Sequence, residues 1–399
     1  GIMALITGPT TFYNLTFAGS GYGWTISDDL VVQNTLSITN TLDSTNITAD
    51  TGETHTISVA GNVSHTGANS MESQLTIVMN GTTAQTVTTS GAGSIGSLKI
   101  SNTSAAVQLG SNLSMRGKLT IDASATLDVT TNNYNITLWF WLGDSVSTTG
   151  WVRNGTFTQR QGTVTFTTSF QGLFTLITGA TTFYNLTFAG TGYGWDISDD
   201  LVVQNNLTIT CTDPGEDIRA DGVETHTISV AGNVSHASVK GFEADLTVVM
   251  NGTGTQTVTT SGTGWLGDLR ISNTSGEVQL GATLLVGDDI TVDANTVFDL
   301  VSYGITGTVS TAWTNNGTVQ LTGDQTFTNA TPTNNAGSTV EYMATSGSRA
   351  IKRTGQSAPA LRRARLRRPL ALRLVQISRS RPRPRVHLRR LVKPPLCRR

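Results

Sequence analysis

Three places in the chain set two carboxylates side by side: Asp28-Asp29, Asp199-Asp200 and Asp288-Asp289. The first two pairs stand directly before the same run, Leu-Val-Val. Paired carboxylates at a turn offer the hard oxygens that Ca2+ takes. They also suit the general acid and base of a glycosidase or lyase, where two carboxylates flank one bond. The plainer reading is a solvated corner, in which an Asp side chain bonds its own backbone, and it is the preferred one.

Glu53, His55 and His65 recur as Glu224, His226 and His236. Imidazole and carboxylate can ligate a transition metal, and imidazole titrates near neutral pH. Two His and a Glu fall short of a recognised metal spacing, so histidines on surface strands are expected. Tyr22 and Trp24, with Tyr193 and Trp195, lie in the string Gly-Tyr-Gly-Trp. Aromatics beside glycines can form a platform for sugar rings; here the tryptophans are expected in the core and the tyrosines outside. Leu138-Trp139-Phe140-Trp141-Leu142 is either a lateral apolar patch or a buried bulge. The candidate ligand-binding residues are therefore Tyr22, Tyr193, Asp28, Asp29, Asp199 and Asp200. Ca2+ is the one cofactor they suggest, and no residue is assigned a catalytic role. No G-x-S-x-G, P-loop, H-E-x-x-H or dinucleotide fingerprint is present.

The elements that must position these residues are repeats. Residues 5–129 recur as 176–300 at a constant offset of 171, with 79 of 125 positions identical and no gap. Ile6 falls on Ile177, Trp24 on Trp195 and His55 on His226. A weaker match appears at a shift of 83: Leu15 meets Leu98, Ile26 meets Leu109, Leu30 meets Leu113 and Leu36 meets Leu119. Only apolar positions persist in it, so what repeats is a core. In-register repetition of this kind marks solenoids or tandem arrays.

Within each repeat the apolar period is two, as in strands with one buried face. Gly, Asn, Asp and Ser punctuate the runs as turns, and Thr and Val suit a pleated surface. The body is all-β. A string of small β-sandwiches and a parallel β-helix both fit short strands at this spacing. The spaced Cys and buried Trp of immunoglobulin domains are missing. Short strands of similar size, with small polar corners, favour a right-handed parallel β-helix, a β-solenoid. Coils of roughly 22 residues rising ~4.8 Å each would make a rod roughly 75 Å long. Residues 1–175 are read as the first solenoid unit, beginning in mid-repeat as though its start and any export signal lay upstream. Residues 176–351 form the second, and 352–399 a basic Arg/Pro/Leu-rich tail.

The string "FYNLTFAGSGYGWTISDDLVVQNTLSIT" resembles the repeats of large adhesin-like β-helix surface proteins of bacteria and archaea, in the style of filamentous haemagglutinin and autotransporter passenger regions. The resemblance covers residues 1–350 and rests on composition and repeat. It implies an extracellular setting and brings no catalytic motif.

The formal charge of −1 hides two opposite regions. All 27 acidic residues lie at or before Glu341, while residues 352–399 hold 17 of the 26 Lys and Arg. An acidic body repels phosphate, which excludes nucleic acid as its partner. The tail reads either as a basic arm or as an out-of-frame stretch, disordered or loosely helical, that leaves the last coil near Tyr342 poorly capped. Two cysteines, Cys211 and Cys397, make no disulfide framework. Fifteen Asn-x-Ser/Thr sequons occur, a count expected from so Asn- and Thr-rich a chain. No apolar run is long enough for a transmembrane segment.

These features imply a structural or adhesive protein, secreted or at the cell surface, and not an enzyme. It would present a long face to surface glycans, other surface proteins, cells or further copies of itself. The alternative is a carbohydrate-active β-helix, either a polysaccharide lyase or a tailspike-like glycoside hydrolase. The discriminating feature would be three or more charged residues from adjacent coils gathered in one groove. With nine Lys and Arg before residue 352, the cation a lyase needs against a uronate is scarce.

Overall fold

Alternation at period two is realised in strands so short that most bury only two side chains. Leu15–Phe17, Leu30–Val32 and Leu36–Ile38 each turn their first and third residues inward and the middle one out. The computed structural model describes residues 2–6, 8–20, 23–41, 46–140, 149–169, 175–192, 194–212, 218–222, 224–243, 245–343 and 351–354. Chain contacts separate residues 1–358 from 359–399; the second unit lies outside the described residues.

Residues 1–358 contain a parallel β-solenoid of about 14 turns. Its strands fall on three faces. The first face carries a ten-stranded sheet from Thr10–Phe12 to Ile218–Ala220, and resumes in Leu284–Val286, Ile305–Gly307 and Phe327–Thr328. The second carries seven strands from Leu15–Phe17 to Thr156–Thr158, then eight from Thr181–Phe183 to Pro332–Asn334. The third begins with Ile2–Ile6, Gly23–Ile26 and Ile47–Ala49 and passes through single bridges at Met71 and Ile95. It then runs as twelve strands from Leu113–Met115 to Ile351–Thr354. No α-helix occurs among the described residues.

Stacking puts like on like. On the first face Leu30, Ile57, Ile77, Leu98, Leu119, Trp151, Ile177 and Ile197 follow one another from coil to coil, and all are buried. Each such side chain contributes roughly 1.5–3 kcal/mol by leaving water. Leu15, Phe17, Ile26, Leu30, Leu36 and Ile38 all point inward, as do their counterparts at +83 and +171. Where the first copy gives way to the second, the core turns aromatic. Trp151 meets Phe157 at 5.0 Å and Phe183 at 5.3 Å between ring centroids, and Phe188 meets Trp195 at 5.2 Å.

The long repeat is not a whole number of turns. Counting along the first face, the strand Thr175–Thr178 stands seven rungs beyond Thr10–Phe12. The copy of Thr10–Phe12 is instead Thr181–Phe183, which lies one face further round. The 83-residue shift moves faces as well. Leu15 sits on the second face, Leu98 on the first and Leu186 on the third. Sequence-equivalent residues are thus equally buried but point in different directions.

The end of the solenoid differs from the expected bare coil. Ile351–Thr354 reverses direction and pairs antiparallel with Thr339–Tyr342, from Thr339↔Thr354 to Tyr342↔Ile351. This is the one antiparallel pairing among the described strands, and it occupies the edge that the last parallel strand would otherwise leave open. The remainder of the basic tail, from residue 355, lies outside the described residues.

Candidate functional sites at the coil corners

The aspartate pairs staple neighbouring coils. Asp28 Oδ2 accepts the Gly8 amide of the coil before. Asp29 Oδ1 accepts the Thr56 amide of the coil after, at 2.7 Å. The second copy repeats both bonds: Gly179 N to Asp199 Oδ2 at 2.6 Å and Thr227 N to Asp200 Oδ1 at 2.8 Å. The two acids of a pair therefore reach opposite ways along the axis, each to the backbone of another coil and not to its own. In the third pair Asp289 accepts the Ala312 amide at 3.0 Å. Its own amide donates to Asp268, 2.8 Å away. Burial pushes the Asp268 and Asp288 carboxyls above their ordinary range, and the charge of Asp289 adds to it.

The histidines are not on the surface, contrary to expectation. His55 is buried at the start of its strand. Its Nε2 lies 2.6 Å from Asp50 and 3.6 Å from Glu53, and its Nδ1 lies 3.9 Å from Asp29. A turn explains the gathering. The Glu53 amide donates to the Asp50 carbonyl, Gly52 takes a left-handed φ of +83°, and His55 comes two residues after Glu53. Asp29 joins from the preceding coil. Sequence reasoning paired Glu53 with His55 but missed Asp50 and Asp29. A single sequence carries no signal for coils stacked 20 to 30 residues apart. His226 repeats the arrangement with Asp221, Glu224 and Asp200. His65 is not part of it. It is wholly buried, and desolvation holds its imidazole below the usual histidine range.

Inside the coils the copies diverge. Asn40, His65 and Asn69 are buried in the first; Cys211, His236 and Lys240 take those positions in the second, and all three are buried. Burial pushes the Cys211 thiol up to about 11, against the opposing charge of Lys240. A different buried network is shared. Gln85 Nε2 donates to the carbonyls of Val59 (2.9 Å) and Gly61 (2.6 Å), and its Oε1 accepts from Gly81 N and Asn102 Nδ2. Gln256 and Asn273 reproduce it.

Corner asparagines form a second set of staples. Asn62 Oδ1 accepts Thr86 N, Asn112 accepts Asn135 N, Asn135 accepts Thr163 N, and Asn233 accepts Thr257 N, at 2.8–2.9 Å. Each of these asparagines begins a sequon. Asn holds the corner, the next residue enters the core, and Ser or Thr faces out. At these four positions the Asn-x-Ser/Thr pattern is a product of coil geometry.

Trp195 is fully buried, as expected, whereas Trp24 is only partly so and packs edge-on against Phe17 at 5.6 Å. Tyr22 and Tyr193 lie outside the described residues. Leu138 is buried and Trp139 is 46% exposed on the same strand; Trp141 and Leu142 lie outside the described residues.

Two further groupings span coils. On the first face Arg219 pairs with Asp196 at 2.7 Å and lies 3.9 Å from Glu243, so three successive coils contribute. At the equivalent positions, on the third face, the first copy has Thr25, Thr48 and Glu72. A shallow groove is lined by Thr131, Asn133, Arg160, Gln161, Tyr184 and Gln204. Arg160 holds Asp128 through two hydrogen bonds, which keeps the Asp128 carboxyl below the usual carboxylate range.

No family model, curated protein or solved structure matches the chain. Among the described residues no helix is long and apolar enough to cross a membrane.

Proposed function

We propose that the chain is a structural or adhesive repeat protein, secreted or displayed at a cell surface, that presents its solenoid faces to glycans, surface proteins or further copies of itself. The observation that carries this reading is where the acids are used. Asp28, Asp29, Asp199 and Asp200 each accept an amide of an adjacent coil. Their carboxylates hold the scaffold together, and the outward rows carry Thr, Ser and Gln interspersed with Val, Lys and Arg. The hydroxyls and amides in these rows donate and accept hydrogen bonds, which suits hydroxyl-rich polymers. The groove beside Tyr184 adds a ring face, three amides and a guanidinium in one place.

Binding of the full chain to an array of neutral and acidic polysaccharides tests the proposal. Retention that falls on Tyr184→Ala or Arg160→Ala supports it; no retention on any glycan, surface protein or immobilised copy of the chain sinks it. The second reading, a carbohydrate-active enzyme, is favoured by the Asp196, Arg219 and Glu243 grouping, which draws charges of both signs from adjacent coils. Release of reducing ends or unsaturated sugars, lost in Arg219→Ala or in Asp199→Ala, would put it first.

A further inference from the structure

We propose that the corner formed by Asp50, Glu53 and His55, flanked by Asp29, binds a divalent first-row transition ion such as zinc, and that Asp221, Glu224 and His226, flanked by Asp200, form a second site of the same kind. The inference stands apart from what the faces bind.

Charge comes first. One imidazole faces three carboxylates, and the ion pairs these carboxylates make among the described residues are all with His55. Protonating the ring would leave the corner two negative charges in excess. A divalent cation removes that excess, and the corner is open enough to admit one. The Asp29 and Glu53 side chains are 63% and 61% exposed, while the His55 ring is held at 9%.

Donor type and spacing then select the class of ion. Ca2+ takes oxygen ligands, whereas a ring nitrogen beside carboxylates is a set that zinc and its neighbours accept. Tetrahedral bonds of about 2.0–2.1 Å set neighbouring donors ~3.3 Å apart. In the first copy His55 Nε2 stands 2.6 Å from Asp50 and 3.6 Å from Glu53, and all three donor atoms lie within 4.8 Å of one another. In the second copy the matching distances are 3.4 and 3.9 Å. The second set is the more open, and rotation of the exposed Glu53 and Glu224 carboxylates is the movement that ion binding requires.

The duplication supplies an internal control. Between the copies the turn has been rebuilt: Thr48 becomes Arg219, Thr51 becomes Gly222 and Gly52 becomes Val223. The left-handed glycine moves by one position, from Gly52 to Gly222. Asp29, Asp50, Glu53 and His55 are all retained through that rebuilding. Asp29 is also held by its bond to the Thr56 amide, but a corner needed only to turn the chain would have no use for Asp50, Glu53 and His55 together. Because the copies lie one face apart, the two sites stand on different edges of the solenoid.

The test is isothermal titration of the full chain, freed of metal by chelator, with zinc chloride. Two sites per chain are expected. His55→Ala should remove one, His226→Ala the other, and the double variant both. Glu53→Gln and Glu224→Gln change exposed groups that the fold does not use, so they keep the test informative if a histidine variant misfolds. Each should weaken its own site by about tenfold or more. X-ray absorption at the zinc edge should show one imidazole nitrogen among oxygens. Undiminished zinc binding in the double histidine variant, sulfur in the zinc shell, calcium binding without zinc binding, or no zinc binding at all would each overturn the proposal.

Discussion

The two copies of the long repeat agree at their corners and differ in their interiors. Asp28, Asp29, Glu53, His55 and Gln85 recur with the same bonds as Asp199, Asp200, Glu224, His226 and Gln256. Asn40 and Asn69 give way to Cys211 and Lys240, and Trp24 is partly exposed where Trp195 is sealed in. A corner's bonds run to the coils directly above and below, so they can be copied even where the turn beside them is rebuilt. The interior is shared by three faces, and the copy has been placed one face further round. Its side chains then meet new neighbours around the ring, and the packing has to be solved again.

Tryptophan burial should break the symmetry most. Trp195→Ala is expected to cost about 3–5 kcal/mol and Trp24→Ala less than half of that, measured by urea unfolding of the full chain. Equal losses would show that the two copies are packed alike after all. The glutamine network should restore symmetry. Gln85→Ala and Gln256→Ala each remove bonds to two backbone carbonyls and leave a glycine amide, Gly81 or Gly252, without its acceptor. Each should therefore cost about 2 kcal/mol or more, and the two should match closely. A clear difference between them would mean that corners, too, depend on which face they occupy.

The buried histidine gives the comparison a pH dependence. Burial holds the His65 imidazole below its ordinary range, so the unfolded chain takes up this proton first. Its contribution to stability is whole above the unfolded pKa, about 6.5. That contribution is lost as pH falls below this value and through the folded one. Thermal melts between pH ~7 and ~5 should therefore show a smaller loss in His65→Gln than in the parent. An unchanged slope would assign the acid sensitivity elsewhere.

The smallest effect is expected at the third aspartate pair, where the first copy has Gly117 and the second Asp288. The Asp268 and Asp288 carboxyls are raised in the fold, so their ionisation weakens the native state as pH rises through their folded values. Asp288→Gly should raise neutral-pH stability by no more than about 0.5 kcal/mol, with the gain shrinking in high salt. A loss of stability instead would show that Asp288 serves as a staple like Asp28.

By itself the sequence determined the strands, the inward residues and the doubling. Alternation is a local signal of period two, and a duplicated core leaves its apolar pattern in register. Leu15, Leu98 and Leu186 could be marked as core without knowing the fold's geometry. Only the tertiary structure decided which way they point. Corners tolerate extra residues, so the step from one coil to the next ranges from the short Ile57↔Ile77 to the longer Leu119↔Trp151. That variation carries the copy one face round. It also brings Asp29 beside His55, threads the sequon asparagines into coil-to-coil hydrogen bonds, and folds His65 and Lys240 into the interior. Each of these depends on residues that meet only once the coils are stacked.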